Sequence, residues 1–149
     1  MDGTKMTHTT DIEKLNCGLI ELFDQFGAWE ASIIQEAGLS LSEAHAIEVL
    51  GTTGAINMKE LAEKLGVTTA TTTVTVDRLE KGKYARRMRA ENDRRSYMIN
   101  LTSKGKRVFE EHHNHHLELT KKIASKLTED EIDSFLNILE KINTCLTCR

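Results

Sequence analysis

The sequence predicts a mainly α-helical chain with one small β-hairpin, and three observations carry that reading. Apolar residues recur at three- and four-residue steps over most of the chain, which is helical spacing. Only residues 84–101 read as paired extended segments, broken by the polar turn Ala90-Glu91-Asn92-Asp93-Arg94. The 149 residues contain no proline, as a chain made mostly of helix interiors requires.

Residues 11–36 place Ile12, Leu15, Leu19, Leu22, Phe23, Phe26, Trp29, Ile33 and Ile34 on one face of a long first helix that Gly38 ends. A second helix starts after Ser40, with Ser40 or Ser42 as cap, turns Ala46, Ile47, Val49 and Leu50 inward, and stops at Gly51 or Gly54. Residues 58–65 form a short third helix. A tight turn at Gly66-Val67 leads into a fourth over residues 69–81. The run from Thr68 to Val76 is rich in β-branched residues, whose local preference is for strand. Helix is nevertheless expected, because Thr68 caps and Thr72, Val76 and Leu79 share a face at helical spacing. Two strands, residues 84–89 and 95–101, make the hairpin. Thr102 caps a long fifth helix to about Lys126, and Thr128-Glu129-Asp130-Glu131 is a capping box opening a last helix that carries Ile132, Phe135, Leu136, Ile138, Leu139 and Ile142.

Two short helices around a tight turn, followed by a hairpin, define a winged helix-turn-helix over residues 41–102. Residues 11–37 and 103–147 are left as flanking dimerisation helices of a single domain, 1–149. Charge sharpens the reading. The chain has a formal net charge of −3, yet residues 78–107 hold eleven Lys or Arg against three acids, so this segment carries +8 and the remainder −11. A basic segment on an acidic body lets one face meet phosphate while the rest is repelled by it, so the partner expected is double-stranded DNA. The basic hairpin makes Arg86 and Arg87 candidate DNA contacts. Residues 1–10 lack the apolar centre of a signal peptide, no stretch is long enough to span a membrane, and three cysteines make no disulfide framework. A cytoplasmic protein with reduced thiols is expected. Cys17 reads as a small core residue, and Cys145 and Cys148, near the chain end, as incidental.

Histidines form the other constellation. His112 and His116 are four apart on the fifth helix, hence on one face, which is the spacing two imidazoles need to share a metal ion. An enzyme is the competing class, with those histidines holding a hydrolytic zinc. The His-Glu-x-x-His pattern is broken by histidine at position 113, and no nucleophile elbow or phosphate-cradling loop occurs, so no catalytic residues are expected.

The run Leu79-Glu80-Lys81-Gly82-Lys83-Tyr84-Ala85-Arg86-Arg87, then Asn92-Asp93-Arg94-Arg95-Ser96 and Asn100-Leu101-Thr102-Ser103-Lys104-Gly105, resembles the signature of the MarR family of transcriptional regulators. The resemblance extends over essentially the whole chain. It implies a homodimeric repressor whose first and last two helices interlock on a pseudo-palindromic operator, often with a ligand that changes the spacing of the reading heads. By position it implies Thr68, Thr69, Thr71, Thr73 and Arg78 toward the major groove, and Arg94 and Arg95 with Asp93 at the wing tip. The chain departs from the pattern in having its glycine at Gly82 rather than directly before Tyr84, which shifts the turn into the wing. It also departs in a threonine-rich reading helix without the Asn, Gln or Arg pairs that make the sharpest base contacts. Similarity to the zinc-responsive branch implies Zn²⁺ as regulatory ligand, with His45 and a first-helix acid, Glu30 or else Asp24 or Glu36, beside His112 and His116. A fatty-acid-synthesis branch shows histidines in comparable places, which keeps an organic or acyl ligand as the alternative.

Overall fold

Ser40 and Asn57 open two helices by the same chemistry. Ser40 Oγ accepts the Glu43 N–H at 3.4 Å while Glu43 Oε2 accepts the Ser40 N–H at 2.9 Å. Asn57 Oδ1 accepts from Glu60 N at 2.9 Å and Glu60 Oε2 from Asn57 N at 3.1 Å. Each pair satisfies two backbone donors that a helix start leaves orphaned. The computed structural model describes residues 9–89 and 97–147. In order these form α1 (Thr9–Glu36), α2 (Leu41–Thr53), β1 (Ile56–Asn57), α3 (Met58–Leu65), α4 (Thr69–Lys81), β2 (Ala85–Arg89), β3 (Tyr97–Leu101), α5 (Ser103–Ala124) and α6 (Glu129–Thr147). The mainly helical fold with a small β wing is as the sequence predicts.

The chain divides into two compact units, Met1–Val108 and Phe109–Arg149. The first holds the core: Ala46, Ile47 and Leu50 of α2, Leu61 and Ala62 of α3, Thr72, Thr75, Val76 and Leu79 of α4, and Ala85, Ile99 and Leu101 of the sheet are all buried. Within the helical threonine run, hydroxyls donate back to the carbonyls four residues earlier. Thr72 bonds Thr68 O at 3.0 Å, Thr73 bonds Thr69 O at 2.9 Å and Thr75 bonds Thr71 O at 3.2 Å. This is how Thr is accommodated in helix despite its branching, and it lets Thr72 and Thr75 lie buried with their polar atoms satisfied.

The sheet is antiparallel in the order β1-β3-β2. Strand β1, with Ile56 opposite Ile99, is an addition to the expected hairpin. Helix α2 ends at Gly54, whose φ of 79° only glycine adopts without strain, and not at Gly51. Val49 is only half-buried, and Cys17 is exposed rather than in the core. Helix α5 stops at Ala124, two residues short of the expected end, where Lys126 and Leu127 bond back three residues to Ile123 and Ala124 and tighten the last turn.

In the second unit, α6 starts at the expected capping box. Thr128 N donates to Glu131 Oε2 at 2.8 Å, and Glu131 N to Thr128 Oγ1 at 3.3 Å. Among the described residues no helix is long and apolar enough to cross a membrane.

Candidate nucleic-acid interface and histidine pair

The wing is anchored at its root by Tyr84 and Thr102. Gly82 is right-handed, and the left-handed turn falls on Lys83, φ 62°, directly before Tyr84, so the turn does not follow the displaced glycine as expected. Gly82 is required for another reason: a Cβ there would lie 2.6 Å from the Tyr84 ring. Thr102 Oγ1 donates to Lys83 O at 2.6 Å and accepts the Gly105 N–H at 3.2 Å, so one side chain caps α5 and holds the turn. Lys104 Nζ donates to Gly82 O at 2.8 Å and sits 4.0 Å over the Tyr84 ring.

On β2 the two adjacent arginines go to opposite faces. Arg86, paired with Asn100, is exposed. Arg87, opposite buried Ile99, turns toward α4, where its guanidinium donates to Asp77 Oδ1 at 2.6 Å and to the Glu80 carboxylate, and its backbone N–H donates to Glu80 Oε1 at 2.8 Å. Its charge is thereby matched inside the protein, and it ties the wing to α4. The exposed cations of this region among the described residues include Arg78, Lys81, Lys83, Arg86 and Arg89.

Of the threonines expected to meet DNA, Thr68, Thr69 and Thr71 are exposed and Thr73 is half-buried. Thr68 is also the cap of α4, accepting from Thr71 N at 3.2 Å. Sequence reasoning passed over Val74, which is 51% exposed on the same helix. Asp93, Arg94 and Arg95 lie outside the described residues.

Within the second unit His112 and His116 meet as their spacing requires. Their Nε2 atoms are 3.0 Å apart and the rings are 4.7 Å apart, edge to face. Tetrahedral zinc with Zn–N bonds of about 2.0–2.1 Å brings two ligand nitrogens to about 3.3 Å, so the pair needs little movement to chelate one ion. Within the first unit, Glu30 and exposed His45 line one hollow of about 390 Å³, whose walls are mostly apolar: Gly27, Ala31, Ile34, Leu39 and Leu41, with Gln35. Asp24 and Glu36 do not line it.

A capped helix pair with a three-residue turn, backed by a three-stranded sheet whose hairpin is basic, is a winged helix-turn-helix. Residues 39–97 match the sequence profile of the MarR family. The transcriptional regulator YfiV of Bacillus subtilis is 31% identical over 83 residues, 56% of this chain and 52% of its own length. The regulator BilQ of Clostridium symbiosum is 27% identical over 119 residues, 80% of this chain and 83% of BilQ. The solved structure of FabT of Streptococcus pneumoniae in complex with DNA superposes with a TM-score of 0.82 at 27% identity, covering 91% of this chain and 97% of FabT. The chain is thus similar over residues 39–97 to the MarR family, and its fold is that of a winged-helix protein. Both YfiV and BilQ are HTH-type transcriptional regulators.

Proposed function

We propose that the chain is a homodimeric, ligand-modulated repressor of a pseudo-palindromic operator. Each copy sets α4 in the major groove and the wing, with Arg94 and Arg95, on the flanking backbone. The observation that carries this reading is the exposed outer side of α4 beside a hairpin whose Arg86 and Arg89 point to solvent. Duplexes enriched by the protein from a random-sequence pool test it. The logarithm of affinity for the enriched sequence is expected to fall linearly with the logarithm of salt concentration, and an Arg94→Glu, Arg95→Glu variant to lose about 0.9 of the slope per phosphate contact removed. Enrichment of no sequence overturns the reading.

For the ligand, Zn²⁺ or a similar divalent ion is favoured by the His112–His116 pair, with Glu30 and His45 as the further ligands. Such an ion changes operator affinity only if it binds two forms of the protein unequally. Calorimetric zinc titration of untagged wild type and a His112→Ala, His116→Ala variant decides it, followed by operator binding with and without chelator. Equal zinc affinity in the two proteins removes zinc. The apolar hollow beside Glu30 and His45 then favours the second reading, an organic or acyl ligand.

A further inference from the structure

A helix turns about 100° per residue, so residues 70, 74, 77 and 81 of α4 form one line along it. That line lies opposite the buried face of Thr72, Thr75, Val76 and Leu79, and Ala70, Val74, Asp77 and Lys81 are all exposed. Its two halves differ. Asp77 and Lys81 occupy the C-terminal half, and Asp77 is already paired with Arg87 at 2.6 Å. The N-terminal half, the part of a recognition helix that meets base edges, presents only the Ala70 Cβ and the two γ-methyls of Val74.

The flanking hydroxyls are partly engaged within the helix: of the four at Thr68, Thr69, Thr71 and Thr73, two protons are spent there. Thr73 spends its proton on Thr69 O at 2.9 Å, and the Thr68 and Thr71 hydroxyls pair with each other at 2.9 Å. Along the line of Ala70 and Val74 itself, the surface of the first two turns is hydrocarbon. Val74 is 51% exposed, so about half of this apolar side chain is available to a partner. In the major groove only one base presents hydrocarbon, thymine through its C5-methyl.

We propose that Ala70 and Val74 are specificity-determining residues that read thymine by its C5-methyl group, with Val74 the principal contact. The proposal rests on the DNA-binding reading of α4. It assigns the sharpest sequence discrimination to van der Waals complementarity and not to the hydroxyls of the neighbouring threonines.

The probe is the duplex enriched by wild-type protein from a random-sequence pool, with its thymines replaced one at a time by deoxyuridine. That replacement deletes the C5-methyl and leaves every hydrogen-bonding group in place. Wild type is expected to lose about fourfold in affinity at one or two positions per half-site, the change that burying one methyl-sized group gives. Val74→Ala, which raises helix propensity at an exposed position and so keeps the fold, is expected to bind the thymine duplex more weakly and to show no deoxyuridine penalty at the same position. A wild type indifferent to every deoxyuridine, or a Val74→Ala variant with an undiminished penalty, overturns the assignment to Val74 while leaving DNA binding intact. A wild type that enriches no sequence overturns the DNA reading itself, and this proposal with it.

Discussion

Arg87 donates its backbone N–H to one oxygen of the Glu80 carboxylate, at 2.8 Å, and its guanidinium to the other, so a single strand residue is clamped twice by a single helix residue. Asp77, one turn earlier on α4, holds the second guanidinium nitrogen at 2.6 Å. The clamp fixes the wing against α4.

Arg87→Met keeps an unbranched apolar stem and removes the charge, leaving Glu80 and Asp77 facing each other without a cation. Because Arg87 and Glu80 are only about one quarter to one third exposed, screening reduces the effect without abolishing it. A loss of about 1 kcal/mol is expected, seen as a fall of roughly 2–4 °C in the thermal midpoint. Arg87→Lys should recover little of it, since an ammonium cannot serve both carboxylates in the plane of the fork. A midpoint unchanged in both variants removes the clamp.

The same residue shows where sequence reading stopped. Arg86 and Arg87 are adjacent in a basic run, and charge alone made both DNA contacts. Only the strand register separates them, since Arg87 pairs with buried Ile99 and Arg86 with Asn100 on the other face. The helix of α4 was legible despite its threonines because the spacing of Thr72, Val76 and Leu79 outweighed local propensity. Val74 was not, because a β-branched residue on a helix reads as core until exposure is known. Strand β1 left no trace in the sequence: two residues have no period, and its partner β3 is some forty positions away in the chain. The His112–His116 pair was legible from spacing alone, whereas the shared hollow of Glu30 and His45 required the fold.

Gly105 opens the first turn of α5, where alanine ordinarily stabilises. Here a Cβ would lie 2.0 Å from the Tyr84 carbonyl oxygen and 3.0 Å from its carbonyl carbon, and backbone cannot swing aside as a side chain can. That carbonyl also accepts the Thr102 N–H at 3.0 Å, so retreat of either strand breaks the root of the wing. Gly105→Ala is expected to destabilise by about 3 kcal/mol, the upper range for overpacking. Urea unfolding of wild type and variant checks it, and equal midpoints would show that α5 can shift freely.

Glu131 makes the stability of α6 depend on pH. The Thr128 backbone N–H and then its hydroxyl donate to the Glu131 carboxylate, holding its carboxyl below the usual range. A folded value below the unfolded one means that the charged form favours the folded state. That stabilisation is complete above the unfolded value, near about 4.3, and disappears as pH falls through the depressed folded value. Glu131→Gln should therefore lower the unfolding midpoint near neutrality and converge on wild type in acid. A difference that persisted unchanged at low pH would assign the effect to packing and not to the carboxylate.

The apolar residues of α6 make the last prediction. Phe135, Leu136, Leu139, Ile142 and Leu146 recur at steps of one, three and four, and in the single chain they are 42%, 58%, 37%, 37% and 65% exposed. On α1, Leu15, Leu22 and Phe23 are likewise more than half exposed. Apolar stripes of this length are stable in water only when covered, and symmetric self-association is the commonest cover. Light scattering is expected to give twice 16.8 kDa at micromolar concentration. Leu136→Glu discriminates, because a carboxylate at an exposed position costs a lone chain little, whereas inside an interface it is a buried, unpaired charge. The variant should scatter as a monomer of unchanged helical content and lose affinity for a two-half-site duplex. Wild type that stays monomeric, or a variant that dimerises as wild type does, would move the dimer contact away from α6.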